Sequence, residues 1–106
     1  MPTLRAANPT VVYWHRDLPP LAADVMGEYV VEASSGRVSS MLAHRDRLWT
    51  RCYAGLMEQA HSRLEQEVAR LGGRYAHVLT ESIDPHHDAA TGEAWLQGRF
   101  TYVLYR

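Results

Sequence analysis

The stretch DRLWTRCYAGLMEQAHSRLEQEVARLGG, residues 46–73, carries the pattern that decides the fold. Trp49, Cys52, Tyr53, Leu56, Ala60, Leu64, Val68 and Leu71 recur at spacings of three and four. That spacing draws one apolar stripe along an α-helix. Arg47, Arg51, Glu58, Ser62 and Gln66 fall largely on the other side. Asp46 is the expected N-cap, since its carboxylate can accept from free amides of the first turn. Gly72 or Gly73 supplies the left-handed residue that ends the helix, so the helix is expected over 46–71. Arg63 and Glu67 stand one turn apart and can pair for about 0.3 kcal/mol. Gly55 lies inside the pattern and costs about 1 kcal/mol relative to alanine unless something packs closely against it.

Strands are expected on both sides of this helix. TVVYWH, residues 10–15, is β-branched and aromatic. RDLPPLAAD follows, and its prolines lack backbone donors, so it reads as a loop or edge segment. In EYVVEASSGRVSS, residues 28–40, Tyr29, Val31 and Ala33 alternate with Val30 and Glu32. Gly36 interrupts that stretch as a bulge or bend, after which Val38 resumes pairing. After the helix, RYAHVLTESI puts Tyr75, His77, Leu79, Glu81 and Ile83 on one face by simple alternation. In AWLQGRFTYVLYR, Leu96, Gly98, Phe100, Tyr102 and Leu104 share one face, and Trp95, Gln97, Arg99, Thr101, Val103 and Tyr105 the other. Both faces of this last strand are rich in apolar or aromatic groups, which predicts that a second subunit covers one of them. DPHHDAATGE, residues 84–93, is expected as the loop between the two strands. The fold class is therefore α+β, strand-strand-helix-strand-strand, with one long helix on a mainly antiparallel sheet of four or more strands.

The chain of 106 residues suits a single domain, with residues 1–9 a flexible N-terminal segment. A formal net charge of −1 argues against a nucleic-acid partner, because phosphate affinity needs a basic excess. The lone Cys52 allows no intrachain disulfide. The opening MPTLRAANPT lacks the apolar run of a signal peptide. No apolar run approaches the roughly 18 residues of a membrane span, so a cytoplasmic soluble domain with no membrane partner is the expectation.

Three parts of the chain together resemble the YbjQ-like family, a group of small bacterial proteins often labelled heavy-metal-binding. EYVVEASSGRVSS is similar to that family's strand, glycine turn and short valine strand. YAGLMEQAHSRLEQEVARLGG resembles its long helix, which ends in Leu-Gly just before a strand. YAHVLTES and GEAWLQGRFTYVLYR resemble its closing hairpin. The likeness covers most of the chain from Glu28 onwards. Where the family continues Leu-Gly-Ala-(Asn/Asp)-Ala-Val, this chain has Leu71, Gly72, Gly73, Arg74, Tyr75 and Ala76. The resemblance implies a compact α+β subunit that assembles into a ring, commonly a pentamer, and it implies no settled activity.

The candidate sites each have two readings. Asp84, His86, His87 and Asp88 place imidazoles and carboxylates close together, the donor types of a zinc, nickel or copper site. In an extended backbone His86 and His87 diverge, and the plainer reading is a solvated hairpin tip. His77 and Glu81, on one predicted face, could meet Arg99 as an acid-base or anion-binding cluster, or form an ordinary cross-strand network. The other single histidines are His15, His44 and His61, and His61 has Glu58 and Glu65 within a turn. Cys52 sits on the apolar stripe and reads as a small hydrophobe rather than a nucleophile. Arg45, Arg47 and Arg51 gather at the helix start as a solvated or intersubunit set. Trp95 either lines a pocket or packs in an interface. No catalytic motif is present. Three functions stay open: an oligomeric module that binds a divalent metal or small ligand, a structural subunit, and a small enzyme built on a histidine and a carboxylate.

Overall fold

A computed structural model describes residues 10–39 and 45–106, with the side chains of Arg45 and Asp46 outside the description. The expected flexible segment 1–9, and His44, also lie outside the described residues. The elements are β1 (Val12–Trp14), β2 (Val25–Ser34), β3 (Val38–Ser39), α1 (Arg45–Leu71), β4 (Tyr75–Asp88) and β5 (Glu93–Tyr105). This is an α+β chain with one long helix on a five-stranded, mostly antiparallel sheet.

The strand order is β1-β4-β5-β2, and β3 pairs with β5 beyond the end of β2. The last strand in the sequence is thus central, gripped by β4 on one flank and by β2 and β3 on the other. β1 runs parallel to β4, which simple strand-helix-strand reading does not reveal. Between β2 and β3 the chain spends three residues, Ser35 to Arg37, against two on β5, Trp95 and Leu96. This is the interruption expected at Gly36. Ser35 makes it work: its backbone N–H donates to the Leu96 carbonyl, and its Oγ accepts from the Leu96 N–H, both at 2.9 Å.

Helix α1 lies on the face formed by Ala94, Leu96, Phe100, Tyr102 and Leu104, all buried. Its own buried residues are Leu48, Cys52, Leu56, Ala60, Leu64 and Val68. The stripe is therefore narrower than the sequence suggests. Tyr53 is exposed, and Leu48 takes the core place at the first turn. Gly98 stands under Leu56. A Cβ there would meet the Phe100 ring at 2.8 Å and Leu56 at 3.2 Å, so this glycine lets helix and sheet close together.

The helix begins at Arg45, one residue ahead of the expected cap Asp46. It ends as expected. Gly72 takes a φ of 75°, Gly72 N–H donates to the Ala69 carbonyl at 3.3 Å, and Gly73 N–H donates to the Val68 carbonyl at 2.9 Å. These bonds satisfy carbonyls that a helix end leaves open. Glu67 pairs with Arg70 through two bonds of 2.8 and 2.9 Å, rather than with Arg63.

Two expectations about β4 change. DPHHD is strand, not loop: β4 runs through Asp88 and pairs to Glu93, leaving a four-residue turn at 89–92. Asp88 organises that turn. Its Oδ1 accepts from Ala90 N–H at 2.9 Å, its carbonyl accepts from Gly92 N–H at 2.8 Å, and Gly92 takes a φ of 72°. Pro85 is tolerated because β1 pairs only with residues 76–78, so the outer edge of β4 is open at Pro85. The second change is a bulge at Leu79, between the Val78–Tyr102 and Thr80–Thr101 pairs. A bulge shifts the alternation by one residue. His77 therefore lies opposite Val103, and Glu81 lies opposite Phe100 on the other side of the sheet.

Candidate functional site: a polar groove on the open sheet face

The face of β5 turned away from the helix carries Trp95, Gln97, Arg99, Thr101, Val103 and Tyr105. Register turns this face into rows. Ser82, Arg99 and Glu32 stand side by side; the next row is Asp84, Gln97 and Ser34; the next pairs His86 with Trp95. In the opposite direction come Thr80, Thr101 and Val30, and then His77, Val103 and Glu28. One half of the open face gathers the charged groups around Arg99, and the other sets Val30 and Val103 among Thr80, Thr101, His77 and Glu28.

The polar half is concave. A groove of about 280 Å³ is lined by Glu32, Ser82, Asp84, His86, Gln97 and Arg99, with Gly98 at its floor. Glu32 is the direct cross-strand neighbour of Arg99. Opposite charges at that position commonly close into a pair. Here, among the described residues, no ion pair forms between Arg99 and either Glu32 or Asp84. The groove presents separate charges.

One end of the groove is a built wall. His86 stacks on Trp95, with ring centroids 5.5 Å apart and planes 9° apart. Arg37, from the opposite flank of β5, lies 4.1 Å from the Trp95 ring centroid. Arg37 also reaches Glu93 at 3.8 Å. Trp95 is held from both flanks, which fixes the His86 ring beside the groove.

Of the residues singled out from sequence, the groove gathers Asp84, His86 and Arg99, with Trp95 behind His86. His87 is directed to the side of Ala94, away from His86, as alternation in an extended strand requires. Asp88 is engaged in the turn. Among the described residues, no three His, Cys, Asp or Glu side chains gather closely enough to hold a metal ion. The expected His77, Glu81 and Arg99 cluster does not form, because the Leu79 bulge sends His77 and Glu81 to opposite faces. His77 is buried, and its Nε2 lies 2.6 Å from the His15 carbonyl. Glu81 instead meets His15 Nε2 at 3.3 Å, and its Oε2 is buried with no hydrogen-bond partner among the described residues. His15 itself takes a φ of 53°, in the left-handed region.

The remaining candidates keep their plain readings. Cys52 is 1% exposed, with its Sγ 3.9 Å from the Ala94 carbonyl, and no base adjoins it among the described residues. His61 pairs with Glu65 at 3.6 Å on the helix surface. Arg47 and Arg51 are exposed. Glu32, Ser82, Gln97 and Arg37 were not singled out from sequence. Their polarity on outward strand positions was visible, but only the register shows that they meet. Beside the helix end, Glu67 is held below the usual carboxylate range, chiefly by its bonds from Arg70. Burial, and then the charge of Glu67, pushes the Tyr102 phenol up.

In comparison with known proteins, no family model matches the chain, no curated protein matches it, and no solved structure matches the fold. Among the described residues, no helix is long and apolar enough to cross a membrane.

Proposed function

We propose that the protein is an oligomeric binding module: the polar groove takes a small ligand, and the other half of the same face, which carries Val30 and Val103, joins another copy of the chain. One observation carries the ligand reading. Arg99, Glu32 and Asp84 line one concavity without pairing among themselves, so their charges are available to something else. Preformed concavities with few polar groups of defined orientation are the usual form of small-ligand sites. The assembly reading is supported by Val30, which is 46% exposed one row from Val103, and by Val25, which is 66% exposed opposite Tyr105. The resemblance to the YbjQ-like family favours a closed ring as its form.

The ligand reading is tested by following backbone amide shifts while small-molecule fragments are added. Fragment binding should move amides at 82–86 and 95–99 in particular. Hits that move only other regions overturn it. A native mass measurement tests the assembly, and a 12.0 kDa species alone at micromolar concentration overturns that part.

A divalent metal such as zinc, nickel or copper is a second reading, favoured by Asp84 and His86 sharing the groove. A neighbouring copy would have to complete the ligand set. Calorimetric zinc titrations of tag-free protein and His86→Ala decide it, and identical isotherms remove the metal.

A further inference from the structure

The charges lining the groove are uneven, and their arrangement points to a ligand class. Glu32 and Asp84 bring two carboxylates from the strands on either side of β5, and Arg99 brings one guanidinium from β5 itself. Together these three groups give the lining one excess negative charge. A ligand that complements it carries two cationic groups and one anionic group. Geometry narrows this further. Glu32 is the direct neighbour of Arg99, whereas Asp84 stands one strand and one row away on the other side. Strand spacing and rise put the two acids roughly 12 Å apart at the backbone. One cationic group of the ligand must therefore lie next to its carboxylate, and the other must lie at the end of a spacer.

We infer that the groove binds a free dibasic α-amino acid, of which lysine is the simplest. Its α-carboxylate is received by the Arg99 guanidinium, a planar donor suited to bidentate carboxylate bonding. Its α-ammonium faces Glu32, and its distal ammonium faces Asp84. The methylene stem passes over Gln97, with the fixed His86 ring as the end wall. A groove of about 280 Å³ admits a molecule of this size. The assignment rests on the groove being the binding site, and its test separates the two claims.

The test is titration calorimetry at low ionic strength with four probes: L-lysine, cadaverine, Nα-acetyl-lysine and L-alanine. L-lysine should bind. Each of the other probes lacks one charged group, and each should bind about tenfold more weakly or worse, the scale of one lost charge-assisted bond. Nα-acetyl-lysine also stands for the C-terminal lysine of a peptide, so equal binding would shift the ligand to a peptide end and overturn the free amino acid. Arg99→Gln should weaken lysine about tenfold or more while cadaverine binds at least as tightly as before, since the variant lining carries one more excess negative charge. Arg99 is exposed, so this variant should melt like the parent. Cadaverine binding as tightly as lysine, or lysine binding unchanged in Arg99→Gln, overturns the inference. Lysine silence with fragment shifts in the groove overturns the ligand class and leaves the groove reading; silence of both overturns both.

Discussion

At the scale of single residues, two core positions have opposite tolerance. Tyr102 is fully buried against Tyr29, yet its hydroxyl has no hydrogen-bond partner among the described residues. A buried hydroxyl left in that state is destabilising, so Tyr102→Phe should match the parent at neutral pH or exceed it by about 1 kcal/mol. The sign with pH follows from the raised phenol. Its contribution is complete below the unfolded value of about 10 and is lost as pH rises through the folded value. Tyr102→Phe should therefore lose less stability than the parent between neutral and alkaline urea melts, and a larger alkaline loss in the variant would refute this account. Gly98 behaves in the reverse manner. Alanine there forces its Cβ against the Phe100 ring and Leu56, with an expected loss of about 1–3 kcal/mol in the same melts.

At the scale of elements, the helix and its termination were readable because each signal is local. The 3.6-residue period, the glycines and the apolar stripe all act within one segment. The bulge at Leu79 was not readable, because no residue near it marks it. Leu79 has an ordinary strand side chain, and only pairing with β5 shows that the alternation slips there. That slip dismantled the expected His77, Glu81 and Arg99 cluster. DPHHD was misread for a related reason: proline and paired polar residues suggest a loop, but an open edge tolerates them in a strand. The groove was half legible, since outward polarity was visible and cross-strand partners were not. Helix energetics can be checked directly. A Cβ on Gly55 would find only Ser35 Cβ, at an ordinary 3.8 Å, so Gly55→Ala should raise the urea midpoint by the equivalent of about 0.5–1 kcal/mol. Gly72→Ala should lower it by about 1–2 kcal/mol, because its φ of 75° suits glycine. Ser35→Ala leaves the Leu96 N–H without its acceptor and should lower the midpoint by about 1–3 kcal/mol.

At the scale of the whole molecule, neighbouring residues of β5 report on different things. Tyr102 faces the helix and Val103 faces the open side. Val103→Asp should therefore weaken assembly while the subunit keeps its circular-dichroism spectrum, whereas Tyr102→Asp should abolish folding. If Val103→Asp leaves the native mass of an assembled parent unchanged, the open face is not the contact. The strand order has a further consequence, for synthesis on the ribosome. β2 and β4 lie on either side of β5, yet β5 is translated after both. Until its residues emerge, β2 and β4 have no shared neighbour, and α1 lacks the central strand of the sheet it covers. The nascent chain must hold part of the apolar face of its long helix open until β5 is made, and closure then depends on one strand inserting between two that are already made. Such late, long-range closure is slow and leaves apolar surface open to aggregation meanwhile. Nascent chains halted before Glu93 should be protease-sensitive throughout, and those that have extruded Tyr105 should become resistant in a single step.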